Sequence, residues 1–301
     1  MILKKKHITT HKPVLVKEVL EKLRVKPRGV YLDVTFGAGG HTRAILEQNK
    51  TCKVIAMDWD ALTLETYGPI FEEEFGDRIS FVWGNFSVLY KLIKKHNIGQ
   101  VDGVLADFGT SQIQIAQTPG LSFFRDTPLD MRLSAAHYQV TAADVLNKSS
   151  QEKLEQLFFQ LGEEPKSRQI ARAIVAARAK HKLITTGQLV DVIEDVLPNK
   201  GKRSIHPATK IFQALRIYVN HELDNIQAFL PAALGALKPE GRLVCISFHS
   251  LEDRMVKQFF NNQERTGALE VITPKAITAS LDELELNPSA RSAKLRAAEK
   301  L

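Results

Sequence analysis

Three aspartates close apolar runs in the first part of the chain: Asp33 after Tyr31-Leu, Asp58 at the end of Lys53-Val-Ile-Ala-Met-Asp, and Asp107 at the end of a run from Val101. Just beyond the first of them lies Gly37-Ala-Gly39-Gly40, followed by His41 and a segment of helix character. Glycines in a strand-to-helix turn permit positive φ and let a ligand approach the backbone, and an acid at the next strand end is placed to accept from ribose hydroxyls. The pattern points to a nucleotide cofactor. A nicotinamide dinucleotide and S-adenosylmethionine both fit the geometry. The turn lacks the third glycine of G-x-G-x-x-G, and a carboxylate at position 33 would repel a pyrophosphate but attract a methionyl ammonium. The methyl donor is therefore favoured.

Within Asp107-Phe-Gly-Thr-Ser-Gln-Ile-Gln114 an acid at a strand end precedes hydroxyls and amides. An exocyclic base amine is a poor nucleophile, because its lone pair is delocalised into the ring. An acceptor such as Asp107 that bonds the amine would hold it in line with a methyl group and favour attack. The alternative is an aspartate that only caps a turn.

The elements that position these groups alternate. Strand character at 29–35, 53–57, 79–83 and 101–108 is interleaved with helix character at 42–48, 61–67 and 87–96. That is a run of βαβ units with a parallel sheet, and right-handed crossovers place Asp33, Asp58, the Gly84-Asn85-Phe86 turn and Asp107 along one edge. Phe86 there either packs on an adenine or belongs to the core. From about 112 to 213 only helical periodicity is seen, at 151–161, 163–179, 186–197 and 207–215, with N-caps at Ser149 or Ser150 and at Thr185. Strand character returns at 241–248 and 269–273, flanked by helices at 216–229 and 251–260, and a charged, Ala-rich tail follows Asn287. The expected organisation is an α/β domain of residues 1–111 and 214–301, interrupted by a helical domain of 112–213 placed to cover substrate.

Composition agrees with a globular protein: 301 residues, 44% hydrophobic and 25% charged. No apolar run approaches the roughly 20 residues needed to span a bilayer, and the lysine-rich start has no following apolar region of a secretory signal. Cys52 and Cys245 lie in apolar runs as reduced core thiols, so the expected compartment is the cytoplasm. Lys and Arg total 41 against 34 acids, a net charge of +7 that suits a polyanion or simply a solvated basic surface. His7-Ile-Thr-Thr-His11 has helical metal-ligand spacing but lacks the glutamate of HExxH, and no metal is expected.

Six segments carry a family resemblance: Asp33-Val-Thr-Phe-Gly-Ala-Gly-Gly-His41, 120–132 (Gly-Leu-Ser-Phe-Phe-Arg-Asp-Thr-Pro-Leu-Asp-Met-Arg), Gly162-Glu-Glu164, 206–222, 246–254 (Ile-Ser-Phe-His-Ser-Leu-Glu-Asp-Arg) and Asn287-Pro-Ser-Ala-Arg-Ser292. Together, and in order along nearly the whole chain, they resemble the MraW/RsmH family. The resemblance implies a class I, Rossmann-like methyltransferase sheet with an inserted helical domain and S-adenosylmethionine as donor. It implies as acceptor the N(4) amine of a cytidine in the decoding region of small-subunit ribosomal RNA, free or in the 30S particle. It also implies cofactor contacts at Gly39, Gly40, His41, Asp58, Phe86, Asp107 and Gln114, which Gly37 joins from the turn itself.

Departures from the family pattern are Val34 where glycine is common, the spelling of 107–112, the missing Glu-Arg pair in 116–119, and Ser289 in place of arginine. Two arginines fewer would weaken phosphate binding. RNA-contact candidates are Arg125, Asp130, Arg132, Arg216, Asn220, His249, Arg254 and Arg291. Charges in the 125–132 loop either grip RNA or pair with one another. Arg216 and Asn220, at i and i+4, either meet the crevice or tie a helix to a loop. The tail 290–296 either folds against RNA or is solvated. No heptad seam specifies an oligomer. Against the RNA methyltransferase stand two competing classes, a small-molecule methyltransferase and a non-catalytic ribosome-assembly factor.

Overall fold

The computed structural model describes residues 12–110, 114–115, 118–198 and 206–301. His7, His11 and the departures at 116–117 lie outside the described residues, as do positions 111–113 of the turn after Asp107. The chain divides into two compact units, one of residues 1–109 and 223–301 and one of residues 110–222.

The first unit is built on an eight-stranded sheet in the order β3-β2-β1-β4-β5-β8-β6, with β7 pairing β8. Its strands are β1 (Val30–Asp33), β2 (Lys53–Asp58), β3 (Ile79–Trp83), β4 (Val101–Asp107), β5 (Leu237–Ser247), β6 (Leu269–Val271), β7 (Ile277–Thr278) and β8 (Lys294–Lys300). Strands β1 to β5 pair in parallel, and β8 runs antiparallel to β5. This is the Rossmann-like class I arrangement expected from the sequence. Because a parallel sheet is covered on both faces, its strands bury alternate side chains on opposite sides. Tyr31, Val54, Leu105, Val244 and Leu295 belong to one core, with α1 (Val16–Leu23), α2 (Gly40–Gln48) and α3 (Ala61–Phe75). Leu32, Met57, Val104, Ala106 and Cys245 belong to the other core. Helix α4 (Leu89–Lys95) covers that second face.

Strand β1 pairs with both β2 and β4, so the order reverses between β1 and β4. Ligand crevices of open α/β sheets form at such a reversal, outside the carboxyl ends of the strands. Asp33 and Asp107 terminate the two strands that flank it.

The second unit is helical: α5 (Ala142–Lys148), α6 (Gln151–Gln160), α7 (Ser167–Arg178), α8 (Thr186–Val196) and α9 (Ala208–Val219) surround a core of its own. Thr141, Ser150 and Thr185 cap their helices through side-chain oxygens, so the N-cap expected at Ser149 or Ser150 is Ser150.

Three expectations need correction. The helical unit runs to Glu222, beyond the expected limit at 213, because Leu215 and Val219 of α9 pack into the helical core. The helix expected at 216–229 is two helices, α9 and α10 (Glu222–Ala236), since Asn220 ends the first and His221 takes φ 50°. The charged tail is not a tail: 294–300 forms β8, inside the sheet between β5 and β6. Its charges are answered there. Arg296, 7% exposed, forks onto Asp253 (2.6 and 3.2 Å) of α11 (Ser250–Arg265), and Glu299 accepts from Arg242 at 2.9 Å.

Candidate active site

The turn between β1 and α2 is held by the aspartates at the strand ends. Asp33 accepts from the Thr42 hydroxyl (2.7 Å) and the Thr35 amide (3.1 Å), and is enclosed at 1% exposure. Burial raises its pKa above the usual carboxylate value. Asp33 is thus a tie for the turn itself, rather than the open anion for a methionyl ammonium that its position alone suggests. Asp58 accepts from the amides of Gly37 (2.8 Å) and Asp60 (2.9 Å), one on each carboxylate oxygen, which fixes the glycine turn to the end of β2. One lone pair per oxygen is left for a further donor. Burial pushes its pKa up to about 6.

The three glycines differ in why they are glycine. Gly37 has φ 54° and open space where a Cβ would point, with only the Thr35 carbonyl at 4.0 Å. Gly39 has φ 78°, and a Cβ there would lie 2.2 Å from the Phe71 ring and 2.8 Å from Phe36. At Gly40 a Cβ would lie 2.8 Å from Pro13. Gly39 and Gly40 therefore close protein packing, and Gly37 leaves room for a ligand. Gly39→Ala is expected to destabilise the fold by roughly 2 to 4 kcal/mol, the sum of overpacking and left-handed backbone costs. Gly37→Ala is expected to leave thermal stability closer to wild type and to weaken donor binding instead. Melting curves and donor titrations of the two variants check this division.

His41, at the start of α2, is 6% exposed, with Nε2 on the Val14 carbonyl (2.8 Å) and Nδ1 3.7 Å from Asp107 Oδ2. The Asp107 amide donates to the Thr35 hydroxyl at 2.7 Å, which locks the end of β4 to the turn after β1. Among the described residues Asp107 Oδ1 is buried with no hydrogen-bond partner. Burial pushes the Asp107 pKa up to about 6, opposed by His41 and by the Gly109 backbone amide and reinforced by the negative charges of Asp33 and Glu252. A buried acceptor left unsatisfied costs roughly 1–3 kcal/mol, so it is unstable unless a donor arrives. The Asp107 side chain is 18% exposed at the end of β4, so a donor can reach the carboxylate.

Phe86 lies half-buried after β3, with Phe108 at 5.8 Å and Phe229 at 5.4 Å between ring centroids. It is anchored in the core on one side and open on the other. Gln114 is half-buried in the helical unit and is already engaged with a neighbour.

Several RNA-contact candidates are structural ties. Arg132 forks onto Asp130 at 2.7 and 2.8 Å, so these two pair with each other. Arg216 forks onto Glu222 (2.8 and 3.0 Å) and reaches the Thr110 hydroxyl. Asn220 is fully buried, accepting from the Leu133 amide (2.7 Å) and donating to the Met131 and Arg216 carbonyls. His249 caps α11 in a reciprocal box with Glu252. Arg254 sits on α11 and is engaged with a neighbour. Arg125 and Arg291 remain exposed. Thr35 and Thr42, which bind the two aspartates, were not singled out from sequence; their place in the motif beside Asp33 was the available signal.

The sequence profile described as the MraW methylase family matches residues 8–301. A protein of Endomicrobium trichonymphae named ribosomal RNA small subunit methyltransferase H is 42% identical over 290 residues, covering 96% of this chain and 98% of its own. Proteins of the same name from Carboxydothermus hydrogenoformans (42% identical; 97% of this chain, 98% of its own) and Bradyrhizobium diazoefficiens (43% identical; 96% and 91%) are equally similar. Among the described residues no helix is long and apolar enough to cross a membrane.

Proposed function

The chain belongs to the MraW methylase family, and from that premise we propose that it methylates the exocyclic N(4) amine of a cytidine in the decoding region of 16S ribosomal RNA, with S-adenosylmethionine as donor. The observation that carries the reading is the unpartnered Asp107 Oδ1 at the strand-order reversal, beside a glycine turn with open space at Gly37. The residues present fit the donor: Gly37 gives backbone access, the free lone pairs of Asp58 suit ribose hydroxyls, and Phe86 offers a ring to adenine. His41 and the backbone at Gly39 and Gly40 shape the same turn, and Gln114 is a further contact proposed from the family pattern. When bound, the donor supplies an electrophilic methyl group on a sulfonium.

Asp107 then does the work on the amine. Its carboxylate accepts an N–H of the amine, which restrains the amine's rotation and directs nitrogen electron density toward the methyl group. The carboxylate stabilises the positive charge that grows on nitrogen, and this is worth most in a buried setting. With a pKa near 6, Asp107 is about nine-tenths ionised at neutral pH and is matched to taking the proton that the methylated amine must lose. Thr35 and His41 position it.

A pH dependence follows. Turnover is expected to fall as pH drops through about 6, where Asp107 and Asp58 both take up protons. Stability moves the other way. Both pKa values are raised on folding, so the folded state binds these protons more tightly, and their contribution to stability grows as pH falls from above 6 toward the unfolded carboxylate value near 4. A pH–rate profile beside melting curves separates loss of activity from acid unfolding.

The proposed acceptor is the small ribosomal subunit or its RNA, acting in the cytoplasm. Labelled methyl transfer to unmethylated small subunits, with free cytidine as the comparison, tests the reading. Preference for subunits supports it. Equal use of free cytidine would indicate a small-molecule enzyme, and subunit binding without transfer an assembly factor.

A further inference from the structure

In the helical unit three aromatic rings stand in a column. His206 stacks on Phe123 at 4.8 Å and 26°, and Phe123 meets Phe124 at 4.7 Å and 38°. The inner end is fixed: Phe212 packs edge-on against Phe123 at 5.2 Å, and Glu194 lies 3.2 Å from His206 Nε2. The outer ring, Phe124, is 84% exposed, the most exposed of the large apolar side chains described. One exposed apolar residue is ordinary. An exposed ring ending an anchored ring column, on a rigid loop, is not.

The loop is rigid because hydrogen bonds pin it on both sides of Phe124. The Gly120 amide donates to the Thr127 hydroxyl, and the Thr127 amide donates to the Thr186 hydroxyl, each at 3.0 Å. That hydroxyl donates to the Arg125 carbonyl at 2.8 Å, and the Gly187 amide donates to Asp126 at 2.8 Å. Cations lie on the same loop and ahead of the segment bridged to it. Arg125 follows it directly, and a bridge from Pro128 to Thr185 brings the loop beside the segment that begins after Lys180 and Lys182. All three cations are exposed, and none has an ion-pair partner among the described residues.

An apolar ring among unpaired cations fits a ligand that has a flat aromatic face and an anionic backbone, which is unstacked RNA. We propose that Phe124 is a stacking platform for an unpaired nucleobase of the substrate RNA, extending the His206–Phe123–Phe124 column by one ring, with Arg125 and Lys182 on the flanking phosphates. Because the ring is held in place, little ordering entropy is spent on binding. This rests on the RNA reading of the acceptor.

The test measures binding to protein-free small-subunit RNA and to the small subunit, over a salt series, for the wild type, Phe124→Ala, Phe124→Trp and Arg125→Ala. Removing the ring is expected to weaken binding to both about 5- to 150-fold, the range for loss of one base–aromatic stack. The slope of log affinity against log salt stays as in the wild type, because no charge is lost. Phe124→Trp retains binding, and Arg125→Ala lowers the slope by about 0.7 to 0.9. Donor affinity is unchanged throughout. Wild-type affinity for Phe124→Ala would overturn the proposal. So would equal loss in Phe124→Ala and Phe124→Trp, or loss confined to the subunit, which would indicate a ribosomal protein as the partner of the ring. Wild-type protein that binds neither RNA nor subunit would instead overturn the RNA reading itself.

Discussion

Asp107→Asn is expected to lower methyl transfer by about 10² to 10⁴ while the protein remains folded, the range for losing a positioned acid–base or charge-stabilising group. Asparagine keeps the size of the side chain, so the end of β4 and its amide bond to Thr35 persist. It removes the anion from a position where Oδ1 is buried without a partner and where burial already raises the pKa to about 6. Stability should therefore stay level or rise. Donor binding should persist, because Gly37 and Asp58 keep their mutual bond. Near-normal turnover in a folded Asp107→Asn protein would remove the aspartate from the chemistry.

Asn220→Ala carries the second large effect, and it falls on stability. The Asn220 side chain is fully buried and holds the Leu133 amide, the Met131 carbonyl and the Arg216 carbonyl, while Met131 itself takes φ 64°. Truncation leaves a buried donor and acceptor without partners, at roughly 1–3 kcal/mol each. We expect a loss of about 2 to 5 kcal/mol, with hydrogen exchange speeding up first around residues 131–133. Donor affinity, set mainly by Gly37, Asp58 and Phe86 of the other unit, should change little. A variant of wild-type stability with a raised KM for subunits would instead return Asn220 to the role of RNA contact.

These two residues show what could and could not be read from the sequence. The ends of β1, β2 and β4 were legible, since each is an apolar run closed by an aspartate, and the parallel order follows from their alternation with helices. The division of the glycines was not legible. Gly39 is required by Phe71, far along the chain, and Gly40 by Pro13. Strand β8 was hidden because Lys294-Leu-Arg-Ala-Ala-Glu-Lys300 spells a solvated segment, and the partners that neutralise Arg296 and Glu299 are Asp253 and Arg242. The break between α9 and α10 was hidden for a similar reason, as helical periodicity continues across Asn220 and His221. Likewise Arg132, Arg216 and Asn220 look free in sequence and are spoken for in the fold. Phe124 was passed over because an aromatic in a loop has no periodicity to reveal whether it is buried.

Nucleoside analysis of unmethylated small subunits incubated with the enzyme and donor tests the central claim most directly. The account predicts a single new N(4)-methylated cytidine in the decoding region, formed by the wild type and about 10² to 10⁴ times more slowly by Asp107→Asn. Methyl groups on another base or on ribose, or equal product from the variant, would contradict it.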